Sequence, residues 1–181
     1  MKPFPLIILS LFFLNGCGTN KSNAYEHYLT LLPPQPGSEI DQRIDNFIKL
    51  YNHLEKNSVA RETKNTYAES IYFNDTLVTI NNRQELIKYL EQTQQQIQSL
   101  SFSVLNVFEK DNDLLVQWKM RTEFEILGQQ SDIETIGISH LRFDQHGKIT
   151  LHQDYWDSTH GFFQHIPMIG GILQWIKNGL H

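Results

Sequence analysis

His152 and Asp154 stand two residues apart in the segment His152-Gln153-Asp154-Tyr155-Trp156-Asp157. On an extended strand that spacing puts both side chains on one face, at positions about 6.5 to 7 Å apart. Histidine titrates near neutral pH and a carboxylate takes or gives a proton, so these residue types suit acid/base chemistry. At that separation they are expected to bracket a small ligand or water rather than bond directly. A structural reading stands beside this one: a hydrogen-bonded Asp and His in a polar pocket. A further carboxylate, Asp75, follows the apolar run Ile71-Tyr72-Phe73, and its setting in Asn74-Asp75-Thr76 suits a turn or cap.

Other chemistries find no matching pattern. There is no Ser-His-Asp elbow, phosphate loop, dinucleotide fingerprint or zinc spacing. His152, His160 and His165 lack a helical ligand pattern, so neither a metal nor a cofactor is expected. A single cysteine, Cys17, excludes an intrachain disulfide framework. A formal net charge of -5, from 15 basic and 20 acidic residues, offers no broad basic field for nucleic acid. With 181 residues, 40% of them hydrophobic, the chain suffices for one ordinary domain and its core.

The first residues read as a targeting segment. Lys2 supplies a positive end, and Leu6 to Leu14 form an apolar run broken only by Ser10. A bilayer-spanning helix needs about 20 apolar residues, so this run has signal-peptide proportions. Leu14-Asn15-Gly16-Cys17 resembles the lipobox of bacterial lipoproteins, with Asn15 in place of the usual Ala or Ser. That resemblance implies cleavage after residue 16 and acylation of Cys17. It also implies anchoring in the bacterial cell envelope, with Gly18 pointing to an outer membrane and a domain facing the periplasm. Residues 17–38, with Pro33-Pro34-Gln35-Pro36-Gly37, then read as an extended tether that packs no core.

The elements that must position Asp75, His152 and Asp154 lie between residues 39 and 160. Ile40, Ile44, Phe47, Ile48, Tyr51 and Leu54 recur at helical spacing. Ser58 suits the N-cap of a short second helix reaching Tyr67. Asn82 with Glu85 suits the start of a third, carried by Leu86, Ile87, Leu90 and Ile97. Beyond it the period drops to two. Phe102, Val104, Asn106 and Phe108 share one strand face. Leu114, Val116, Trp118, Met120, Thr122, Phe124 and Ile126 share another, opposite Gln117, Lys119, Arg121, Glu123 and Glu125. A strand from Ile133 to Phe143, the turn Asp144-Gln145-His146-Gly147 and a last strand to about Asp157 complete an α+β layer fold. His140 falls on the outward parity of its strand.

Several motifs carry a family resemblance: Phe73-Asn74-Asp75, Ser139-His140-Leu141-Arg142-Phe143, Gly147-Lys148-Ile149 and His152 to Asp157. With three helices before a long meander, they resemble the NTF2-like superfamily, and most closely its SnoaL-like and ketosteroid-isomerase-like branch. The ending, with Pro167-Met168-Ile169-Gly170, looks like an uncharacterised bacterial SnoaL-like subgroup. The resemblance implies a cone of three helices on a curved antiparallel sheet around an apolar pocket. Trp118, Met120, Phe124, Ser139, Trp156 and Phe47 are the residues it places there.

The family's functional residues carry over singly. Asp75 matches the isomerase's general base, a carboxylate suited to moving a proton at the rim of an apolar cone. The isomerase's oxyanion donors fall on Phe47, which cannot donate, and Ser139, a weaker donor. The cyclases' strand acid/base falls on Asp154, with His152 as its proton partner. Steroid-isomerase chemistry is therefore disfavoured.

Residues 161–181 hold Phe162, Phe163, Ile166, Ile169, Ile172, Leu173, Trp175, Ile176 and Leu180. They read as an amphipathic helix, covering the cone or touching the membrane interface. The function expected overall is a membrane-anchored lipoprotein binding a small hydrophobic ligand or partner in its pocket. A cofactor-independent isomerase, cyclase or hydratase using Asp154, His152 or Asp75 is the alternative, and an envelope-assembly scaffold is a third. A homodimer through the sheet is left open.

Overall fold

The computed structural model describes residues 23–32, 42–54, 58–126 and 129–158. The signal-like segment, Cys17 and the 161–181 segment lie outside them. The chain divides into two units, residues 1–32 and 33–181. In the first, α1 (Asn23–Leu31) interrupts the stretch expected to be extended. Ala24, Glu26 and Leu29 are good helix formers, and Tyr28 and Leu31 remain exposed.

The second unit opens with α2 (Gln42–Asn52), whose spacing buries Ile44, Phe47 and Leu50, with Leu54 just beyond. α3 (Val59–Thr66) follows, with Ser58 at its N-cap position but without a side-chain cap bond. The Thr66 hydroxyl lies 3.1 Å from the carbonyl of Asn46, tying α3 to α2. β1 (Tyr67–Asn74) and β2 (Thr79–Asn82) form a hairpin. Asn82 then caps α4 (Arg83–Gln94) by accepting from the Glu85 N–H at 2.9 Å. The meander is β3 (Ile97–Lys110), β4 (Asp113–Ile126), β5 (Gln129–Phe143) and β6 (Ile149–Trp156).

The six strands form one curved sheet in the order β2-β1-β6-β5-β4-β3. It is mixed rather than antiparallel, because β1 lies parallel to β6. Parallel neighbours need a long crossover, and α4 with the whole meander supplies it. The β1–β2 hairpin also separates α4 from the earlier helices, so helices do not all precede strands. Ile97, expected on the third helix, opens β3 instead.

Alternation in β4 follows the sequence pattern, with Leu114, Val116 and Trp118 buried. In β3 the pattern breaks. Pairing with β4 skips Leu105 between Val104 and Asn106, a bulge that reverses the parity beyond it. Phe108, expected inside, is consequently 56% exposed, opposite the exposed Leu115. His140, half-buried on the outer face, meets Asp113 at 3.0 Å, beside the Arg142–Asp113 ion pair.

The end of α2 is held against β3 by one side chain. Asn52 donates to the Phe102 carbonyl at 3.0 Å and accepts from the Phe102 N–H at 2.9 Å. That clamp sets Phe47 and Tyr51 against Phe102, with ring centroids 5.4 and 5.1 Å apart. Asn52→Ala removes both bonds. At about 1 kcal/mol each, it is expected to destabilise the fold by about 2 kcal/mol, read as a lower urea midpoint.

Candidate functional site

The concave face of the sheet, α2 and α4 enclose a cavity of about 520 Å³. That size accommodates a small organic molecule. Its walls are mainly aromatic and aliphatic. Phe47 and Tyr51 come from α2, Tyr89 and Leu90 from α4, Phe102 from β3, and Trp118, Met120 and Phe124 from β4. Ser139, Asp154 and Trp156 complete the site on β5 and β6, so each residue the family resemblance placed in the pocket lines this cavity.

Strand register builds the polar end. Ser139 is the cross-strand partner of Asp154, and Gly137 is the partner of Trp118. A Cβ on Gly137 would lie 2.3 Å from Trp118 Cζ2, so only glycine lets the indole lie across β5 there. Placed so, Trp118 Nε1–H donates to Ser139 Oγ at 2.9 Å. The Ser139 hydroxyl donates in turn to Asp154 Oδ1 at 2.5 Å.

His152 supplies the second donor to that oxygen. It is completely buried, with Phe47 and Phe73 packed edge-on at centroid distances of 5.5 and 4.9 Å. The Tyr67 hydroxyl meets His152 Nδ1 at 2.6 Å. A carboxylate oxygen only accepts, so His152 Nε2 carries a hydrogen and donates it to Asp154 Oδ1, also at 2.6 Å. Burial, reinforced by nearby charges including that of Asp154, holds the Tyr67 and Tyr51 phenols protonated well above their ordinary range. The His–Asp contact is thus direct, not bracketing. From adjacent same-face positions the imidazole reaches along the strand, backed by Tyr67.

Asp154 receives both donors on Oδ1. Among the described residues its Oδ2 has no hydrogen-bond partner, and it is the carboxylate oxygen left for the cavity that Asp154 lines. His152 does not line the cavity. It stands behind Asp154 and positions it.

Asp75 lines the same cavity in a different way. Its Oδ1 accepts from the N–H groups of Leu77 and Val78, at 3.0 and 2.9 Å, the geometry of a turn carboxylate. Its Oδ2 accepts from the Tyr89 hydroxyl at 2.5 Å. Burial and the adjacent Asp75 charge raise the Tyr89 phenol far above its usual value. The Trp156 indole N–H donates to the Asp75 carbonyl at 2.7 Å. Both Asp75 oxygens are therefore engaged, whereas Asp154 keeps one open.

Tyr67, Tyr89 and Thr135 carry no site signal in the sequence, and Tyr51 reads there only as part of the apolar stripe of α2. A tyrosine on a buried face is the signal available, because its hydroxyl requires a partner there. Among the described residues, no group of three His, Cys, Asp or Glu side chains is arranged to hold a metal ion. His160 and His165 lie outside them.

Residues 46–152 match the family described as Uncharacterized conserved protein (DUF2358). No curated protein matches the chain. Among solved structures, a SnoaL-like protein from Shewanella denitrificans superposes with a TM-score of 0.56 at 14% identity, covering 65% of this chain and 92% of that one. An LEH-like epoxide hydrolase from M. tuberculosis gives 0.54 at 13%, covering 67% and 80%. An NTF2-like protein of unknown function from an Exiguobacterium species gives 0.56 at 12%, covering 64% and 98%. These likenesses establish the NTF2-like, SnoaL-like fold. They do not transfer an activity.

Gly137→Ala probes the geometry of the polar end. The added methyl must displace the indole, breaking its bond to Ser139. The expected result is a shifted tryptophan emission spectrum and a loss of about 1–3 kcal/mol in denaturant unfolding. An unchanged spectrum and midpoint would contradict the contact.

Proposed function

The chain belongs to the family described as Uncharacterized conserved protein (DUF2358), and on that premise we propose that its cavity binds a small, largely apolar molecule whose hydrogen-bond donor meets Asp154 Oδ2. The observation that carries this is one open carboxylate oxygen in a cavity whose walls are mainly apolar. A carboxylate oxygen facing an apolar cavity is poorly solvated, and a ligand donor compensates for that. The apolar walls supply the affinity and the carboxylate supplies the orientation.

Acid/base catalysis is the second reading, favoured by the chain of hydrogen bonds running from Tyr67 through His152 to Asp154. Binding is preferred because the nearby donors are already committed. Trp118 donates to Ser139, Ser139 to Asp154, and Tyr89 to Asp75. None of these three is left to stabilise an oxyanion, the largest single contribution in isomerase-type chemistry.

We further propose that the domain works at the bacterial cell envelope, lipid-anchored through Cys17 at an outer membrane and facing the periplasm. Support comes from the lipobox-like Leu14-Asn15-Gly16-Cys17 behind an apolar run. No helix among the described residues is long and apolar enough to cross a membrane.

Phenylnaphthylamine, a neutral apolar fluorophore with one N–H donor, tests the cavity. It is expected to bind with energy transfer from Trp118 and Trp156. Asp154→Asn keeps an acceptor at Oδ1 but turns a donor toward the cavity, and is expected to weaken binding about tenfold without unfolding the protein. Unchanged affinity would remove Asp154 from the site. For the anchor, Cys17→Ser is expected to abolish palmitate labelling and release the protein from the membrane fraction. An unprocessed Met1 N-terminus in the native protein would contradict it.

A further inference from the structure

The cavity has a second polar position that the proposed function leaves unused. Thr135 on β5 lines it and is 3% exposed, and its hydroxyl is the one buried side-chain oxygen or nitrogen, among the described residues, without a hydrogen-bond partner. Its cross-strand partner is Met120, and its neighbour on the same face is Ile133. Neither offers a strong donor or acceptor.

The location of Thr135 along β5 gives this orphan hydroxyl a meaning. Ser139, the residue paired with Asp154, lies four positions further along the strand on the same face. At the rise of an extended strand, the two positions are about 13 Å apart. The cavity therefore has an open acceptor, Asp154 Oδ2, near one position and an unpaired hydroxyl at the other. The surfaces between them are the apolar side chains of Trp118 and Met120.

We infer that the ligand is an elongated molecule with a polar group at each end of an apolar body. One end carries a donor for Asp154, and the other a hydroxyl or carbonyl that pairs with Thr135. This rests on the cavity-binding reading above and narrows it. A purely hydrophobic molecule leaves both positions unsatisfied, and one with a single polar head leaves one.

The test compares decanol with decanediol, neutral probes that the acidic surface does not recruit and whose extended chain matches the span. Displacement of phenylnaphthylamine reads their affinities for wild type, Thr135→Val and Thr135→Ser. In wild type and Thr135→Ser, the affinity ratio of diol to alcohol is expected to be about fivefold to tenfold higher than in Thr135→Val. Thr135→Val, which replaces the unpaired hydroxyl with a methyl group of similar size, should also raise the Tm of the ligand-free protein by about 3 °C.

A lower Tm for Thr135→Val would show that the hydroxyl has a partner within the protein and would overturn the inference. So would an affinity ratio equal in wild type and Thr135→Val, or a failure of both alcohols to displace bound dye. Those outcomes leave the cavity-binding reading standing. If phenylnaphthylamine itself does not bind wild type, that reading falls, and the inference falls with it.

Discussion

Taking a carboxylate out of water costs several kcal/mol unless hydrogen bonds replace its hydration. Asp154, only 6% exposed, meets that condition with two donors on a single oxygen, Ser139 Oγ and His152 Nε2. Most of the interior follows from holding those donors in place. Ser139 is oriented by the Trp118 indole, and the indole needs the missing side chain at Gly137. His152 is oriented by Tyr67 and enclosed by the rings of Phe47 and Phe73. Tyr67 opens β1, so the parallel pairing of β1 with β6 also brings the phenol to the imidazole. One oxygen is saturated by the protein, and the other is left for whatever enters.

This arrangement separates two carboxylates that the sequence places on an equal footing. Asp75 closes a turn with one oxygen and takes the Tyr89 hydroxyl with the other, which fixes the link between β1 and β2 against α4. Asp154 is positioned from behind and open in front. The first builds the cavity wall, and the second gives the cavity its polarity. The same fold in other chains hosts hydrolases and proteins of unknown role, so the distinction must come from groups such as these rather than from the cone.

The layer organisation was legible because β4 alternates from Val116 to Glu125, mostly apolar on one face and polar or charged on the other, the pattern of a half-buried strand. Its inward residues led directly to the cavity wall. The parallel contact between β1 and β6 was not legible, because it joins segments some 80 residues apart and leaves no local periodicity. The bulge at Leu105 was equally silent, since no glycine or proline marks it, and it turned Phe108 outward. Asp154 and His152 were visible as chemistry-bearing residues, but their direct bond depends on Tyr67, which arrives from another strand. Thr135 carried no signal, because a lone threonine in a strand is ordinary until its surroundings are known to lack partners.

The central claim is that Asp154 presents one oxygen to a ligand while the protein holds the other. A crystal structure of the phenylnaphthylamine complex tests it most directly. The account predicts the dye inside the cavity, its N–H within hydrogen-bonding distance of Asp154 Oδ2, with the Ser139 and His152 bonds to Oδ1 unchanged. Dye bound elsewhere, or an Asp154 side chain rotated so that both oxygens bond to protein, would contradict it.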